Sequence, residues 1–179
     1  EVSGIYFIGG IVAGGNGGGE HIHIHPATNG KPVLIHDNRF SAINSIGRSM
    51  GTSSNKGVVY SNSFDNGLCS SAALGCTISV AQAISLKDPT RTDAWTSPSY
   101  MGMHDIGGVN NFYIEDNYFA GFWQSDMDYD DNSRSVTRHN IFDNSALGSH
   151  GADTSFIGVR YYEIYDNTFI FSDMGDYTY

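Results

Sequence analysis

The sequence predicts an all-β solenoid, a fold in which similar coils of chain stack on one another. The first observation is a recurring phrase, an apolar or aromatic residue followed by x-x-Asn-x-Phe. Its Asn residues are Asn38, Asn62, Asn117, Asn140 and Asn167. Most steps between them are in the twenties, which is typical of repeats that bury their apolar faces only by stacking. The repeats are also short runs of Ile, Val, Tyr, Phe and Thr bounded by Gly, Asn, Asp and Ser, as expected of strands between turns.

Each phrase predicts a strand, a bend and a second strand. The residue three before the Asn and the Phe two after it are expected to point inward, with the bend at the Asn, because Asn tolerates left-handed backbone and can hydrogen-bond along stacked turns. A degenerate first copy occupies 6–11, with Gly9 in place of the Asn. The pattern resembles a right-handed parallel β-helix of about six to eight coils. The alternative, an antiparallel β-sandwich, needs hairpin turns instead.

The longest step, 55 residues between the second and third Asn, holds enough chain for about two coils. Residues 76–81 are strand-like, whereas 84–103 are expected to form a projecting loop or short helix. Loops that leave a rigid scaffold often carry binding specificity. Trp95 and Tyr100 are therefore candidate sugar-stacking residues, with packing of Trp95 on the solenoid flank as the alternative.

Composition restricts the class of protein. The 179 residues fit a single domain, 1–179, and the formal net charge is −10. Because no basic stripe is present to neutralise phosphates, we do not expect a nucleic-acid partner. The acidity also disfavours anionic polymers unless a cation or an Arg cluster intervenes, although solubility alone explains it equally well. No apolar run approaches the ~18 residues of a membrane span.

The ends of the chain resemble internal strand sequence, without an initiator Met or a signal peptide. We therefore expect a segment of a longer protein. Because open coils present unpaired strand edges, we expect its ends to be capped by flanking domains or by self-association. Cys69 and Cys76 are expected to form a disulfide in a secreted protein, with two reduced thiols as the alternative.

Strand alternation predicts two outward-facing columns with one residue per coil. The residue two before each Asn gives His36, Tyr60, Glu115, Arg138 and Tyr165, and the residue four before gives Leu34, Val58, Tyr113, Val136 and Glu163. Since coils stack about 4.8 Å apart, Glu115, Arg138 and Glu163 are expected to be neighbours. They form either a functional surface or an ion-pair ladder worth ~0–1 kcal/mol.

Histidines suggest a further outer column. His21, His23 and His25 alternate along one strand and are expected to share a face, but alternate side chains lie roughly 7 Å apart, too far for one small ion. His25 and His104 each stand thirteen residues before an Asn, which predicts that 101–103 matches 22–24. The same strand of the following coils is expected to carry the Asp run and then His150.

The densest acidic run is 126–132, with seven residues that include four Asp. Alternating carboxylates suit a hard cation such as calcium. The predicted metal ligands are Asp126, Asp128, Asp130 and Asp131. The run lacks the Gly and distal Glu of an EF-hand, and an acidic turn without metal is the alternative.

The stretch 111–171 carries a family resemblance. Its segments FYIEDNYF, SVTRHNIFDN, SHGADTS and GVRYYEIYDNTF are similar to pectate-lyase-like, right-handed β-helix repeat proteins of environmental bacteria and their phages. The resemblance covers about a third of the chain and implies carbohydrate contact without fixing an activity. In pectate lyases an Arg base acts beside calcium held by Asp residues, roles that Arg138 and 126–131 match. The Arg-x-Lys of polygalacturonase-like hydrolases is absent.

We therefore predict an extracellular, cell-surface or virion-surface protein that cleaves a polysaccharide by lyase-like or hydrolase-like chemistry on its outer face. The predicted catalytic residues are Arg138, His150, Glu163, Arg160 and His104. The predicted substrate-binding residues are Trp95, Tyr100, Tyr113 and Glu115. The alternative is a non-catalytic glycan-binding or structural β-helix of an adhesin, a phage tailspike or a surface filament.

Overall fold

The computed structural model describes residues 1–8, 20–25, 31–41, 48–53, 56–65, 82–87, 108–109, 111–121, 125–130, 133–151 and 158–171. For Arg48, Ser53, Ser125, Asp126, His150 and Gly151 it describes only the backbone. Regular structure in these ranges consists of strands. Among the described residues there is no helix with the length and apolarity to cross a membrane.

The strands form three sheets that the chain visits in turn. The first sheet contains β1 (Val2–Ser3), β4 (Val33–His36), β7 (Gly57–Tyr60), β10 (Phe112–Glu115), β13 (Arg134–Arg138) and β16 (Tyr161–Tyr165). The second contains β2 (Tyr6–Ile8), β5 (Arg39–Ser41), β8 (Ser63–Asp65), β11 (Tyr118–Ala120), β14 (Ile141–Asp143) and β17 (Thr168–Ile170). The third contains β3 (Glu20–Ile24), β6 (Arg48–Ser53), β9 (Gln82–Lys87), β12 (Ser125–Asp130) and β15 (Leu147–Gly151).

Each strand pairs in parallel with the equivalent strand of the next coil, so the fold is a right-handed parallel β-helix. The first and second sheets contain six strands each, which gives six coils and confirms the predicted fold class. An antiparallel sandwich is excluded for the described strands because their pairings are parallel.

The phenylalanines stack inside the second sheet as predicted. Ring centroids of successive members are 4.7–4.9 Å apart. The stack consists of Phe7, Phe40, Phe64, Phe119, Phe142 and Phe169. Its four central rings are fully buried, whereas Phe169 in the last coil is 42% exposed. The apolar column three residues before the Asn, such as Ile35, Val59 and Ile114, is also buried in the core.

The asparagines form a hydrogen-bonded ladder along the turn between the first and second sheets. In each step the Oδ1 atom accepts from the backbone N–H and the Nδ2 of the Asn one coil earlier, at 3.0 Å. The Nδ2 of Asn117 also donates to the carbonyl oxygens of Val59 and Glu115. The ladder thus satisfies backbone groups that the turn removes from the sheets.

The left-handed residue of this turn precedes the Asn, which corrects the expectation that the Asn itself makes the bend. These residues have φ between +51° and +57°. They are Asp37, Ser61, Asp116, His139 and Asp166. Gly4, with φ +67°, takes the same position in the first coil, where a residue without Cβ adopts this backbone at no steric cost.

The first and third coils also differ from the prediction. Phe7 pairs with Phe40, so Ile5 and not Gly9 stands at the Asn position of the first coil. Strands β7 and β10 pair directly, so the 55-residue step is one coil with long connections and not two coils. The predicted loop begins too early, since Ile84 to Lys87 belong to β9, and residues 88–103 lie outside the described ranges.

Candidate functional site

An open groove of about 830 Å³ runs along the asparagine turn over five coils. Two columns of side chains line it, contributed by the residues immediately before and immediately after each Asn. The first column comprises Gly4, Asp37, Ser61, Asp116 and His139, and the second comprises Tyr6, Arg39, Ser63, Tyr118 and Ile141. Because the turn residue is left-handed in every coil, the two columns repeat with the coil spacing of about 4.8 Å.

Aromatic and charged groups in the second column are held by contacts along the solenoid. The Arg39 guanidinium lies 5.0 Å from the centre of the Tyr6 ring and 3.7 Å from a carboxylate oxygen of Asp65. The Tyr118 hydroxyl donates a hydrogen bond to Asp143 at 2.8 Å, which raises the pKa of Tyr118 and keeps the phenol neutral. Tyr6 is 51% exposed and Tyr118 is 38% exposed, so both side chains are accessible to solvent, with Arg39 over one face of the Tyr6 ring. Such amphipathic rings suit a ligand with both apolar and hydrogen-bonding surfaces.

The predicted outward columns of the first sheet are confirmed by the strand register. Arg138 lies between Glu115 and Tyr165 of the neighbouring coils. Its Nε and Nη2 both donate to one Glu115 oxygen at 2.7 Å, and its Nη1 donates to the Tyr165 hydroxyl at 2.9 Å. The guanidinium also lies 5.2 Å from the centre of the Tyr113 ring. These contacts connect three consecutive coils.

The expected pairing of Arg138 with Glu163 is corrected by this register. Glu163 lies opposite Val136, and its carboxylate accepts a hydrogen bond from the Tyr161 hydroxyl. Val136 itself is fully buried, although it belongs to an outward column. The hydrogen bonds that Arg138 donates to Tyr165 and Glu115 raise its pKa, which opposes a role as a general base. Arg138 therefore links neighbouring coils through a partly exposed ion pair and hydrogen bonds.

We expect Arg138→Ala to lower the free energy of unfolding by at most ~1 kcal/mol, since partly exposed ion pairs are weak. Chemical denaturation of this variant, of Glu115→Ala and of the double variant measures the coupling between the two side chains. Arg39→Ala is the control because its ion pair with Asp65 is longer and more exposed. If Arg138→Ala leaves the free energy of unfolding unchanged but abolishes glycan binding, Arg138 is a binding residue and its contacts between coils do not stabilise the fold.

The third sheet carries a polar cluster around two of the predicted metal ligands. Met127 and Tyr129 belong to the core, whereas Asp128 and Asp130 alternate with them on the same strand and are nonetheless buried. Ser85 donates a hydrogen bond to Asp128 at 3.1 Å. In the same cluster the Lys87 ammonium lies 2.8 Å from Asp130, in a partly buried ion pair.

The described part of this cluster does not assemble a calcium site. Calcium takes six to eight oxygen ligands, and the described residues contain no group of three or more His, Cys, Asp or Glu placed to hold a metal. Lys87 already neutralises Asp130 in this arrangement. The side chain of Asp126 is not described, and Asp131 lies outside the described residues.

The histidine predictions are also revised. His21 packs between Phe7 and Phe40, with ring centroids 6.0 Å from each, and burial lowers its pKa. Only His23 and His25 lie together, 4.5 Å apart, so the three imidazoles do not share a face. Residues 101–103, expected to match 22–24, lie outside the described residues, and β9 takes the position between β6 and β12 that was expected for them.

The predicted catalytic residues lie on different parts of the solenoid. Arg138 and Glu163 are on the first sheet, Arg160 is buried just before β16, and His150 is on the third sheet. His104, Trp95 and Tyr100 lie outside the described residues, as do Cys69 and Cys76. Tyr113 and Glu115 are gathered around Arg138.

Sequence reasoning overlooked the groove residues. The columns before and after each Asn are as regular in the sequence as the columns that were predicted. Two sequence features could have indicated the groove. Asp alternates with Ser or His immediately before the Asn, and two tyrosines take equivalent positions after the turn. The overlooked groove residues are Tyr6, Asp37, Arg39, Asp116, Tyr118 and His139.

Comparison with known proteins does not assign the chain to a family within this fold. No family model matches the chain, and neither the curated proteins nor the solved structures contain a significant match. The class defined by the architecture is therefore that of the right-handed parallel β-helix.

Proposed function

We propose that this chain is a glycan-binding β-helix of the pectate-lyase-like type, and that the groove along the asparagine turn takes an extended polysaccharide. The supporting observation is the groove itself, about 830 Å³ in volume and lined by two regular columns over five coils. A coil rise of about 4.8 Å is close to the length of one pyranose ring in an extended chain. Successive coils therefore offer equivalent contacts to successive rings.

The chemistry of the lining supports the same ligand. Tyr6 and Tyr118 offer partly exposed aromatic side chains in the first and fourth coils, while Arg39, Ser63 and Asp116 offer hydrogen-bonding groups between and beside them. Sugar rings combine an apolar face with peripheral hydroxyl groups and match this mixture. A polysaccharide partner in turn suits an extracellular, cell-surface or virion-surface location.

We expect Tyr118→Ala to weaken binding of a polysaccharide to the groove by about tenfold, equivalent to ~1.4 kcal/mol. Affinity electrophoresis or calorimetry over a panel of neutral, cationic and anionic polysaccharides measures this change. Tyr60→Ala, on the outer face of the first sheet, is the matched control and is expected to bind normally. Failure of the wild-type protein to bind any polysaccharide in the panel overturns the proposed function.

Polysaccharide cleavage is the second candidate, and the third-sheet cluster favours it. Buried Asp128 and Asp130 beside Lys87 are the kinds of group that act as general acid and base in the cleavage of a glycosidic bond. The same panel tests this candidate through release of reducing ends or unsaturated products, with and without calcium. Binding without any product favours the non-catalytic adhesin, tailspike or filament component.

A further inference from the structure

We propose that His21 makes the first coil sensitive to pH, so that mild acid destabilises this coil and weakens binding at the end of the groove that the coil lines. The inference rests on the proposed function, because it concerns how binding in that groove is regulated. The structural observation behind it is an imidazole placed against the phenylalanine stack, where neither ring nitrogen has a hydrogen-bond partner among the described residues.

His21 packs against two rings of the phenylalanine stack. Its ring centroid lies 6.0 Å from those of Phe7 in the first coil and Phe40 in the second. Both of its ring nitrogens are buried. A protonated ring in this place takes a positive charge and two N–H donors away from water without compensation, which costs free energy. Burial accordingly lowers the pKa of His21, so the ring is neutral at neutral pH.

The charged and titratable side chains described on the strands around this imidazole have other partners. On β3 itself, Glu20 forms an ion pair with His23. On β5 and β2, Arg39 lies over the ring of Tyr6. On β6, which pairs with β3, the structure describes only the backbone of Arg48. Among the described side chains, none accepts a hydrogen bond from either ring nitrogen of the imidazole.

Acid pH therefore opposes the folding of this part of the solenoid. Because the folded-state pKa of His21 lies below its ordinary value of 6.5, the unfolded chain binds a proton more readily than the folded chain. Stability is unaffected by this ring above about pH 6.5 and is lost as the pH falls from there towards the lowered folded-state pKa. Since β2 is the end strand of the second sheet, with β5 on one side, the loss falls first on the first coil.

His36, in the second coil, responds to pH in the opposite direction. Its ring lies 2.7 Å from a carboxylate oxygen of Asp37 and 3.0 Å from one of Glu1, and the hydrogen bonds to these groups raise its pKa. Its contribution to stability is therefore present in acid and is lost as the pH rises through the raised pKa. Because Glu1 directly precedes β1, acid strengthens the attachment of β1 while it weakens the packing of β2 against His21.

The first coil lines one end of the groove with Gly4, Ile5 and Tyr6. Tyr6 directly precedes Phe7, the residue of β2 that packs on His21, so displacement of β2 moves both side chains. A ligand that spans five coils thus loses contacts at the first coil in acid and keeps its contacts with the others.

Hydrogen exchange measured by mass spectrometry at about pH 5 and about pH 8, the range in which histidine titrates, tests the inference. After correction for intrinsic exchange rates, we expect the protection of Tyr6–Ile8 to fall about tenfold in acid relative to that of Tyr118–Ala120. His21→Phe keeps an aromatic ring that cannot be protonated and is expected to show no such fall. His23→Phe, on the same strand, is the matched control and is expected to behave like the wild-type protein.

Proton NMR of the His21 imidazole in the wild-type protein follows the same titration without any substitution. A midpoint at or above that of histidine in an unfolded peptide overturns the inference. An equal fall in protection in His21→Phe and in the wild-type protein overturns it as well.

The polysaccharide panel at the same two pH values tests the connection to the groove. We expect the wild-type protein to bind about tenfold more weakly in acid and His21→Phe to bind equally at both pH values. Equal affinity of the wild-type protein at both pH values overturns the regulation while the proposed function stands. Absence of binding to every polysaccharide overturns the proposed function, and hydrogen exchange still decides whether His21 makes the first coil sensitive to pH.

Discussion

Phe119→Ala is expected to lower the free energy of unfolding by ~3–5 kcal/mol. Phe119 is fully buried and lies between Phe64 and Phe142, with centroid distances of 4.9 Å to both. Its removal takes away apolar burial and leaves a cavity that rigid neighbouring coils cannot fill, because their spacing is set by backbone hydrogen bonds. Urea denaturation followed by far-ultraviolet circular dichroism measures the change.

The control for this prediction is Phe169→Ala in the last coil of the same stack. Phe169 is 42% exposed and contacts Phe142 on one side, so the variant is expected to lose clearly less stability. Equal losses for the two variants contradict the buried central stack. A loss below ~0.5 kcal/mol for Phe119→Ala contradicts it as well, since changes of that size are normal for surface substitutions.

Asn117→Ala is expected to cost ~3–4 kcal/mol, as much as the loss of a core ring. The side-chain oxygen of Asn117 accepts from both the backbone N–H and the Nδ2 of Asn62. Its Nδ2 donates to the carbonyl oxygens of Val59 and Glu115 and to Oδ1 of Asn140. Deletion leaves several buried donors and acceptors without partners, and each such group costs ~1–3 kcal/mol.

Thermal and urea denaturation of Asn117→Ala and Asn167→Ala measure how the cost depends on burial. The bonds of Asn167 to Thr137 and Tyr165 lie nearer the surface, so water can replace them in part. We expect Asn167→Ala to lose less than half as much stability. A stability change within experimental error for Asn117→Ala shows that the turn does not depend on the ladder and contradicts its proposed role.

Much of the fold was predictable because it depends on local pattern. The Asn and Phe positions predicted the stacked turn and the inward ring column, and alternation predicted that Glu115, Arg138 and Tyr165 belong to one outward column. These predictions need only the two-residue period of a strand and the repetition of one phrase. Gly9 was wrongly predicted to take the Asn position of the first coil because that coil lacks the Asn. Gly4 and Ile5 form the turn there instead.

The site was less predictable, because it depends on which coils become neighbours. Nothing local indicates that β7 pairs with β10 across the 55-residue step, and that pairing brings Ser61 beside Asp116. Burial of Asp128 and Asp130 on an outward face likewise depends on packing and not on strand period. The position of His21 against Phe7 and Phe40 breaks the expected alternation in the same way.

By itself the sequence determined the class of fold, the inward Phe column and the asparagine turn, since each follows from a repeated local phrase whose copies stabilise one another when stacked. Only the tertiary structure decided the number of coils, the partner of Arg138 and the continuous groove. The physical reason is that these features arise between residues more than twenty positions apart in the chain. Their proximity is set by backbone pairing between coils, and loops of any length between two strands are compatible with the same local pattern.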